Sequence, residues 1–514
     1  MRGERGLAFL LLLLSGCISD FGDASRVTSD EAEAIVRAAP FPDQTPDPRV
    51  HVPSRVEVRP DGTRVVRLDL REALRLAVRN NQRFLVEGEN LQVQLLTLEA
   101  LRHSWNPTVE PLTGSVFYTS NPDGPDAVGQ DVTARISQKM PFGGVASASW
   151  THAASQVPKP RAYTGTGVVS LTQPILRGGG YGVALEDLVS SERGYVYSSR
   201  IREFNRVQLH VGVVESYFGL LQRENAIRNF ERNLQRARRQ ALQAQIQESF
   251  GRVTRTDVYR SQLQVTRAES DLSVQREQLK IARDAFKIDL GLAPELEILL
   301  LPEKVEYRPM AVTPEEAVAA ALAHNPAWLN ARDQVEDARR QLAVAVNATL
   351  PRLDVTASYA WASGVSSRAA GPYETALRDL TVSAGFEIPL DRYSLRRDYQ
   401  KAVIAERQAE REFLRARDFV VRDVQVQLTL LRQAELTMEF QRRSIADAEK
   451  AVRLAEFDYL RGKSANRDVL EAQDQLVQAQ NGYDAALVQA RISQLRLQNY
   501  IGKLTVDLEG EWLK

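Results

Sequence analysis

Few residues of this 514-residue chain have the type and spacing that catalysis or metal binding requires. Serine, cysteine and paired carboxylates lack the neighbouring base or acid that would activate them. The histidines are scattered, without the spacing of ligands that share one metal ion. They are His51, His103, His152, His210 and His324. The sequence therefore predicts no enzyme, no resident metal and no cofactor.

Neither the glycine-rich segment nor the overall charge of the chain indicates binding of phosphate or nucleic acid. Arg177 is followed by Gly178, Gly179 and Gly180, but the Lys-Ser/Thr ending of a phosphate-binding loop is missing. A flexible turn between a strand and a helix explains the segment better. Lys and Arg total 66, and so do Asp and Glu. With a net charge of zero, the chain has no general attraction for nucleic acid.

The chain contains the same landmarks twice, in the same order. The pairs are Leu70–Asn81 and Pro314–Asn325, Pro107 and Pro351, Pro174 and Pro389, Asp257 and Asp468, and Gly291 and Gly502. A repeat this long usually determines the whole architecture. The pattern predicts a first repeat at 69–292 and a second at 313–503.

The spacing between paired landmarks locates an insertion in the first half. The first proline pair is 244 residues apart and the second is 215 apart, whereas the Asp and Gly pairs are both 211 apart. The drop of 29 falls between the two proline pairs, where the pattern is strand-like. It indicates that the first repeat has one extra hairpin.

Period-two alternation of apolar and polar residues predicts strands at about 108–176 and about 353–390. In the second half, Leu380, Val382 and Phe386 alternate with Thr381 and Ser383. Such strands, apolar outside and polar inside, have the length and pattern of strands in a membrane barrel.

Two helices of about 65 residues are predicted, from about 185 to 250 and from about 394 to 460. A heptad seam runs along the second helix and continues on a helix that returns after Gly462. The seam of the long helix consists of Val424, Leu428, Leu431, Met438, Ile445, Val452, Ala455 and Tyr459. The seam of the return helix consists of Leu476, Tyr483, Leu487, Ala490, Leu497 and Ile501. Each long helix ends near a glycine, so hairpin tips are expected near 251 and 462.

The strands cannot cross a membrane as an open sheet. Unpaired edge amides in hydrocarbon cost several kcal/mol each, and closure needs about eight strands. One chain offers four to six strands, so several chains must combine their strands in one barrel.

The N-terminus resembles a bacterial signal peptide over residues 1–16. Arg2 and Arg5 precede a short apolar run, and Leu14-Ser15-Gly16-Cys17 resembles the lipobox of bacterial lipoproteins. That resemblance implies that Cys17 becomes an acylated first residue, and Ile18 is compatible with transfer to the outer membrane. The alternative is a buried free cysteine. Residues 17–68 are predicted to be an extended segment, and 504–514 a C-terminal tail.

From residue 70 to residue 504 the chain resembles the TolC family of outer-membrane efflux proteins. The resemblance is carried by the duplicated plan, by the segment Leu171–Gly178 where a strand meets a long helix, and by the tip segment Tyr459–Ala472. It implies a mainly α fold with a transmembrane β-barrel portion. Long coiled-coil hairpins would form an α-barrel, and trimerisation would complete both barrels, with twelve strands or more.

The same resemblance implies a function and partners. The chain would be the outer-membrane exit duct of a tripartite efflux or type I secretion system, working as a homotrimer. Its partners would be a periplasmic adaptor, an inner-membrane pump and outer-membrane lipid, while the cargo stays open between small molecules, metal ions and polypeptides. The alternative from another class is a non-conducting coiled-coil lipoprotein that spaces or docks partners.

The resemblance also assigns roles to residues at the tips. Asp468 and Glu471 match the acids that ring the periplasmic aperture, and their spacing of three puts them on one helix face. The alternative is ordinary surface acids. Asp257 and Tyr459 match positions of a latch between neighbouring hairpins. Ser464 replaces the basic partner of that latch, so Arg461 and Arg467 are its candidate substitutes.

Adaptor docking is assigned to the two hairpin tips. The matching residues are Gly251, Arg252, Gly462 and Lys463. Their basic character indicates an adaptor with acidic or polar complements. The alternative is helix-end cations with no partner.

Overall fold

The computed structural model describes residues 56–58, 64–120, 127–156, 162–251, 253–303, 305, 307–310, 312–366, 375–461, 463–464, 466–506 and 512–513. The predicted signal peptide, Cys17, Arg252 and Gly462 lie outside the described residues.

Helices make up most of the described chain. They are α1 (Leu70–Asn80), α2 (Gln82–His103), α3 (Tyr181–Ala184), α4 (Glu186–Ser249), α5 (Arg255–Asp289), α6 (Pro314–His324), α7 (Pro326–Ala348), α8 (Tyr393–Leu460) and α9 (Asn466–Tyr500). The two long helices α4 and α8 begin and end within two residues of the positions expected from the sequence. No helix among the described residues is both long enough and apolar enough to cross a membrane.

The strands fall into three sheets. They are β1 (Val56–Val58), β2 (Arg64–Leu68), β3 (Thr108–Val109), β4 (Thr113–Thr119), β5 (Ala127–Lys139), β6 (Val145–Gln156), β7 (Ala162–Pro174), β8 (Glu297–Leu300), β9 (Arg352–Ser366), β10 (Thr375–Glu387), β11 (Thr505–Val506) and β12 (Trp512–Leu513). The predicted strand regions therefore contain β3 to β7 and then β9 and β10. The short pair β11–β12 lies in the predicted C-terminal tail.

Paired landmarks have the same local geometry in the two halves. Asn81 and Asn325 each end one short helix and then accept hydrogen bonds from the first backbone N–H groups of the next helix. Gly291 and Gly502 both have positive φ, at 63° and 68°. Glycine is favoured there because it has no Cβ to clash in the left-handed region.

The chain divides into two compact units. The described parts of the first unit are Asn90–Ser199 and Asn330–Leu414. It contains the largest sheet, with the order β10-β9-β7-β6-β5 and with β3 and β4 both paired to β5. Every pairing is antiparallel. The Glu110 N–H donates to the Arg135 carbonyl at 2.8 Å between β3 and β4, so these two form one interrupted strand.

The extra hairpin predicted in the first repeat belongs to this same sheet. The β5–β6 register runs without a break from Val128↔Gln156 to Lys139↔Val145. With β3 and β4 taken as one strand, the sheet has six long strands in the described residues. Its edge strands are β10 and the β3–β4 strand, and no pairing between these two edges is found in the described chain.

One face of the sheet carries hydroxyl groups and the other carries apolar groups. Cross-strand hydroxyl pairs join Thr133 to Thr151 at 2.9 Å, Ser147 to Ser170 at 2.9 Å, and Thr172 to Thr356 at 3.1 Å. On the opposite face, Trp150, Gly167 and Trp361 are in register across three strands. The Trp361 ring lies over Gly167, at 2.2 Å from where a Cβ would be. The aromatic side chain thereby covers the gap that the glycine leaves.

Two ion pairs with buried carboxylates connect helices of the first unit. Arg102 contacts Glu192 at 2.8 Å, and Arg340 contacts Glu186 at 3.0 Å. Both carboxylates are at most 5% exposed. Removing one partner of such a pair is costly because a buried charge is left uncompensated.

The second unit comprises the described residues of Phe41–Glu89, Arg200–Leu329 and Arg415–Lys514. Its sheet, β1-β2-β8, includes a parallel β2–β8 pair that was not predicted from the sequence. Val66 and Leu68 on β2 are fully buried in the main core of this unit. The end of the predicted extended segment is thus part of a packed core.

The predicted heptad seam coincides with buried contacts in this unit. Val424 and Leu431 on α8 pack in one cluster with Leu497 and Ile501 on α9. Nearer the tip, Val452 packs in a second cluster with Ala448, Ala472 and Leu476. Helices α4 and α5 pack through the equivalent cluster of Leu234, Ala237, Ala268 and Leu272.

Candidate functional site at the hairpin ends

Helix α5 begins with a capping box that uses one of the predicted latch residues. The Asp257 backbone N–H donates to Thr254 Oγ1 at 3.3 Å, and the Thr254 backbone N–H donates to Asp257 Oδ2 at 3.2 Å. The Thr254 hydroxyl also donates to Asp257 Oδ2 at 2.7 Å. The capping box satisfies two N–H groups that a helix start leaves unpaired. Asp257 therefore stabilises its own helix as well as facing the site.

A groove of about 560 Å³ lies between α5 and α9 near the tips. It is lined by three acids and three arginines, which are Asp257, Glu471, Asp474, Arg260, Arg267 and Arg467. The structure thus brings together Asp257, Arg467 and Glu471, three residues assigned to this region from the sequence. Asp468 lies in the first turn of α9 and is exposed, but it does not line the groove.

Tyr459, the other predicted latch residue, is buried within the chain and is 6% exposed. No hydrogen-bond partner for its hydroxyl is found among the described residues. Burial raises the pKa of Tyr459, and the negative charge of Asp257 adds to the rise. The two residues are therefore close enough to interact electrostatically within one chain.

The basic residues after α8 differ in their surroundings. The Arg461 guanidinium lies over the Phe457 ring, 3.9 Å from its centre. Such a cation–π contact orients Arg461 along its own helix. The Lys463 backbone N–H donates to the Asp458 carbonyl at 2.8 Å, while the Lys463 side chain is exposed. Of the two candidate substitutes for the latch cation, Arg467 is the one that lines the groove with Asp257.

Comparison with known proteins gives this geometry a context. The family model for outer membrane efflux proteins matches residues 317–503, which is nearly all of the second half. Among curated proteins, the outer membrane efflux protein BepC of Brucella suis is 26% identical over 304 residues. That match covers 58% of this chain and 64% of BepC, which is less than two thirds of the relative's length.

Solved structures agree over most of the chain. The outer membrane protein VceC of Vibrio cholerae has a TM-score of 0.64 at 14% identity, covering 84% of this chain and 96% of VceC. The CmeC outer membrane channel of Campylobacter jejuni has a TM-score of 0.63 at 14% identity, covering 84% of this chain and 85% of CmeC. The two proteins therefore share the fold of this chain, although their sequences are only 14% identical to it.

The chain is similar to the outer membrane efflux proteins. The TolC-like fold predicted from the sequence is confirmed in its mainly helical architecture, and the proteins that the chain matches are outer membrane efflux proteins and channels. Among the residues that the structure describes, no group of His, Cys, Asp and Glu could hold a metal ion.

One acid that lines the groove, Asp474, was not predicted from the sequence. Asp474 follows Glu471 by three residues, so it continues the row of Asp468 and Glu471 along one side of α9. Gln264 Nε2 donates to its two carboxylate oxygens at 3.4 and 3.2 Å. The repeated spacing of three was the available signal, but only the packing of α5 against α9 shows that Asp474 is partly buried.

Burial raises the pKa of the Asp474 carboxyl. The charge of Asp271 adds to the rise, whereas hydrogen bonds from Asn233 and Gln264 and the charge of Arg236 oppose it. A raised pKa means that the folded protein binds a proton at a pH where the unfolded chain has lost it. The ionised carboxylate is therefore a cost to the fold at neutral pH, and this cost disappears as the pH falls through the raised pKa.

Asp474→Asn is accordingly expected to raise the Tm at neutral pH, because the amide removes the buried charge and still accepts a hydrogen bond. The gain should shrink as the pH falls through the raised pKa towards the usual aspartate value. Thermal unfolding followed by circular dichroism at a series of pH values measures it. The exposed Asp447 on α8 supplies the control Asp447→Asn. A gain of the same size at every pH would contradict the assignment.

Proposed function

We propose that this chain is the outer-membrane exit duct of a tripartite efflux or type I secretion system. It is a passive channel for small molecules, metal ions or polypeptides. The observation that carries the proposal is the large sheet of the first unit, which has one apolar face, one hydroxyl-rich face and two edges that are unpaired within the described residues. The likeness to outer membrane efflux proteins supports localisation in the outer membrane.

Closure of the sheet requires other copies of the chain. Unpaired strand edges are excluded from hydrocarbon because their N–H and C=O groups find no partner there. The strands alternate in direction from the β3–β4 strand to β10, and they are even in number. The β10 edge of one copy is therefore antiparallel to the β4 edge of the next, so identical copies can close a ring.

A homotrimer of this kind pools three sets of six strands into a barrel of about eighteen strands. That number includes the extra hairpin, whose place in the barrel was left open by the sequence. Barrels of about 16 to 18 strands enclose a water-filled channel. The hydroxyl-rich face lines this channel, and the apolar face contacts lipid. Acylation of Cys17, which lies outside the described residues, anchors the chain to the same membrane.

The helices continue the duct into the periplasm in this proposal. Threefold symmetry turns Asp468 and Glu471 into rings of carboxylates that attract cations at the aperture. Asp257, Tyr459 and Arg467 form the latch between hairpins, with Arg461 as a further cation nearby. The tips, Gly251-Arg252 and Gly462-Lys463, are the docking positions for a periplasmic adaptor that connects the duct to an inner-membrane pump.

The conductance of purified protein in planar bilayers tests the proposal, together with a trimer that dissociates on heating in detergent. A channel requires both observations. Coiled-coil packing alone, as in a lipoprotein that only spaces or docks partners, would give a stable oligomer without ion conductance. The absence of conductance from a well-folded trimer would therefore refute the channel.

Removing the proposed aperture acids should open the duct to leakage. Asp468→Ala with Glu471→Ala is expected to raise the current through the closed channel several-fold, because the shorter alanine side chains leave a wider constriction. The double variant should also weaken the block by divalent cations, because the attracting charges are lost. Single-channel recording measures both quantities. The control Glu439→Ala with Asp447→Ala removes two exposed acids from α8, both paired to neighbouring cations. Equal currents in the wild type and in both variants would exclude an aperture ring.

A further inference from the structure

Exposed apolar side chains lie on one face of β10 and also follow the end of the strand. Leu380, Val382 and Phe386 are 73%, 68% and 77% exposed, and Ile388 and Leu390 follow at the same spacing of two, with exposures of 50% and 96%. Side chains spaced by two lie on one face of an extended chain. Leu390 lies in a bend after the strand, so Ile388 and Leu390 add exposed apolar surface between the end of β10 and the first turn of α8 without continuing the face of the strand.

Three arginines follow this apolar surface directly. Arg392, Arg396 and Arg397 are exposed at the start of α8. Within the part of the chain that the structure describes, none of the three forms an ion pair. Arg392 Nε donates to the Pro389 carbonyl at 3.3 Å, and the Arg397 guanidinium lies over the Tyr393 ring, 4.8 Å from its centre. These contacts orient two of the guanidinium groups but leave their positive charges without a counterion.

The acids of the same segment are already engaged. Asp391 Oδ1 accepts the Tyr393 backbone N–H at 2.9 Å, and Asp398 pairs with Lys401 at 2.9 Å. Residues 391–401 contain four cations and two carboxylates, so the segment carries a net positive charge.

The corresponding turn of the first half provides a contrast. There Arg177 follows the exposed Ile175 and Leu176, but it pairs with Glu387 at 2.9 Å. The basic group at the first half is thus neutralised by the end of β10, whereas the group at the start of α8 is not. The two turns are at equivalent positions of the repeat, but only the turn at the start of α8 has arginines that form no ion pair among the described residues.

We infer that Arg392, Arg396 and Arg397 form a binding site for the phosphate headgroups of anionic phospholipids. The inference rests on the proposed function, because it needs the apolar face of β10 to lie in the outer membrane. Ile388 and Leu390 contact acyl chains at the inner edge of that membrane, Tyr393 lies at headgroup depth, and the arginines extend into the headgroup layer. The free positive charge selects anionic over zwitterionic lipid, and salt screens the selection.

Energy transfer from tryptophan to pyrene-labelled lipid tests the site. Full-length protein is reconstituted in phosphatidylcholine vesicles that contain a trace of pyrene-labelled phosphatidylglycerol or pyrene-labelled phosphatidylcholine. At low salt we expect a roughly fivefold enrichment of the anionic probe around the wild-type protein. Arg392→Gln, Arg396→Gln and Arg397→Gln together should abolish this preference.

A matched variant removes three cations from the same helix far from the sheet. Arg442→Gln, Arg443→Gln and Lys450→Gln together should keep the preference, and soluble phosphate at equal ionic strength should not compete more than chloride does. Competition by soluble phosphate, or equal preference in both triple variants, would overturn the inference. A loss of trimer stability with unchanged lipid preference would mean that a second copy of the chain covers the patch, and would also overturn it.

Conductance measured in the same vesicle preparation separates this inference from the proposed function. A conducting trimer without anionic preference contradicts the lipid site alone. A trimer that does not conduct contradicts the exit duct, whatever its lipid preference.

Discussion

Replacing Gly291 with alanine is expected to lower the free energy of unfolding by about 2 to 5 kcal/mol. Gly291 has φ of 63°, and a left-handed backbone costs other residues about 1 to 2 kcal/mol. A Cβ at this position would also lie 2.2 Å from the Asn80 carbonyl oxygen. That contact is with backbone at the end of α1, so relief requires moving the helix, at a further cost of about 1 to 3 kcal/mol.

Gly251 is the matched control for this prediction. Its φ of 67° is nearly the same, but nothing lies within 4 Å of its Cβ position. Gly251→Ala should therefore cost only the backbone strain, about 1 to 2 kcal/mol. Denaturant unfolding in detergent, followed by circular dichroism, compares the two variants. If they proved equally destabilising, the close approach of α1 to the turn after α5 would be of no energetic consequence.

Tyr217→Ala is expected to destabilise the second unit by about 3 to 5 kcal/mol, the usual cost of removing a large aromatic side chain from a core. Tyr217 is fully buried and packs edge-on against Phe218 and Phe286. Its hydroxyl donates to the Leu301 carbonyl at 2.8 Å and lies 3.4 Å from the Leu68 carbonyl. One side chain thereby connects α4 to the last residue of β2 and to the residue that follows β8.

Tyr217→Phe separates the ring from the hydroxyl. It keeps the packing and loses the hydrogen bond, so a loss of about 1 kcal/mol is expected. Thermal unfolding of the two variants under identical detergent conditions provides the comparison. A phenylalanine variant as unstable as the alanine variant would show that the hydroxyl, rather than the ring, holds β2 and β8 in place.

Local signals in the sequence were sufficient for most elements. Helices α4 and α8 begin and end within two residues of their predicted limits. The breaks at Asn81 and Asn325, where each asparagine ends one helix and caps the next, were not predicted. The heptad seam placed Val424, Leu431 and Leu497 correctly in buried contacts. These features depend on neighbouring residues or on a period, which a single sequence displays directly.

The sheet β1-β2-β8 was not predicted, because it depends on a pairing between segments that are far apart in the sequence. Its central pairing joins Val65–Leu68 to Glu297–Leu300, more than 200 residues away along the chain. Both strands are short, and a short apolar run does not indicate its partner. The packing of these residues against Tyr217 on α4 gives β2 its place in the core.

At the hairpin tips, too, some residues were predicted from the sequence and others were found only in the structure. The sequence selected Asp257 and Glu471 by resemblance to a family pattern and offered Arg467 as one of two substitutes for the missing latch cation. All three residues line one groove in the structure. The sequence did not identify Asp474, because partial burial of a carboxylate depends on how α5 and α9 pack. The exposed Asp468 and the Arg461 that lies on Phe457 also acquire their surroundings only from the fold.

By itself, then, the sequence predicted the order of the long helices and strands, the glycine turns near the hairpin tips, and the faces that the long helices bury. These follow from side-chain chemistry at fixed spacing, which acts over a few residues. Tertiary structure alone decided that the extra hairpin extends the main sheet, that Arg177 is neutralised by Glu387, and that Arg392, Arg396 and Arg397 are not. Those outcomes depend on contacts between segments far apart in the chain, and local spacing carries no information about such contacts.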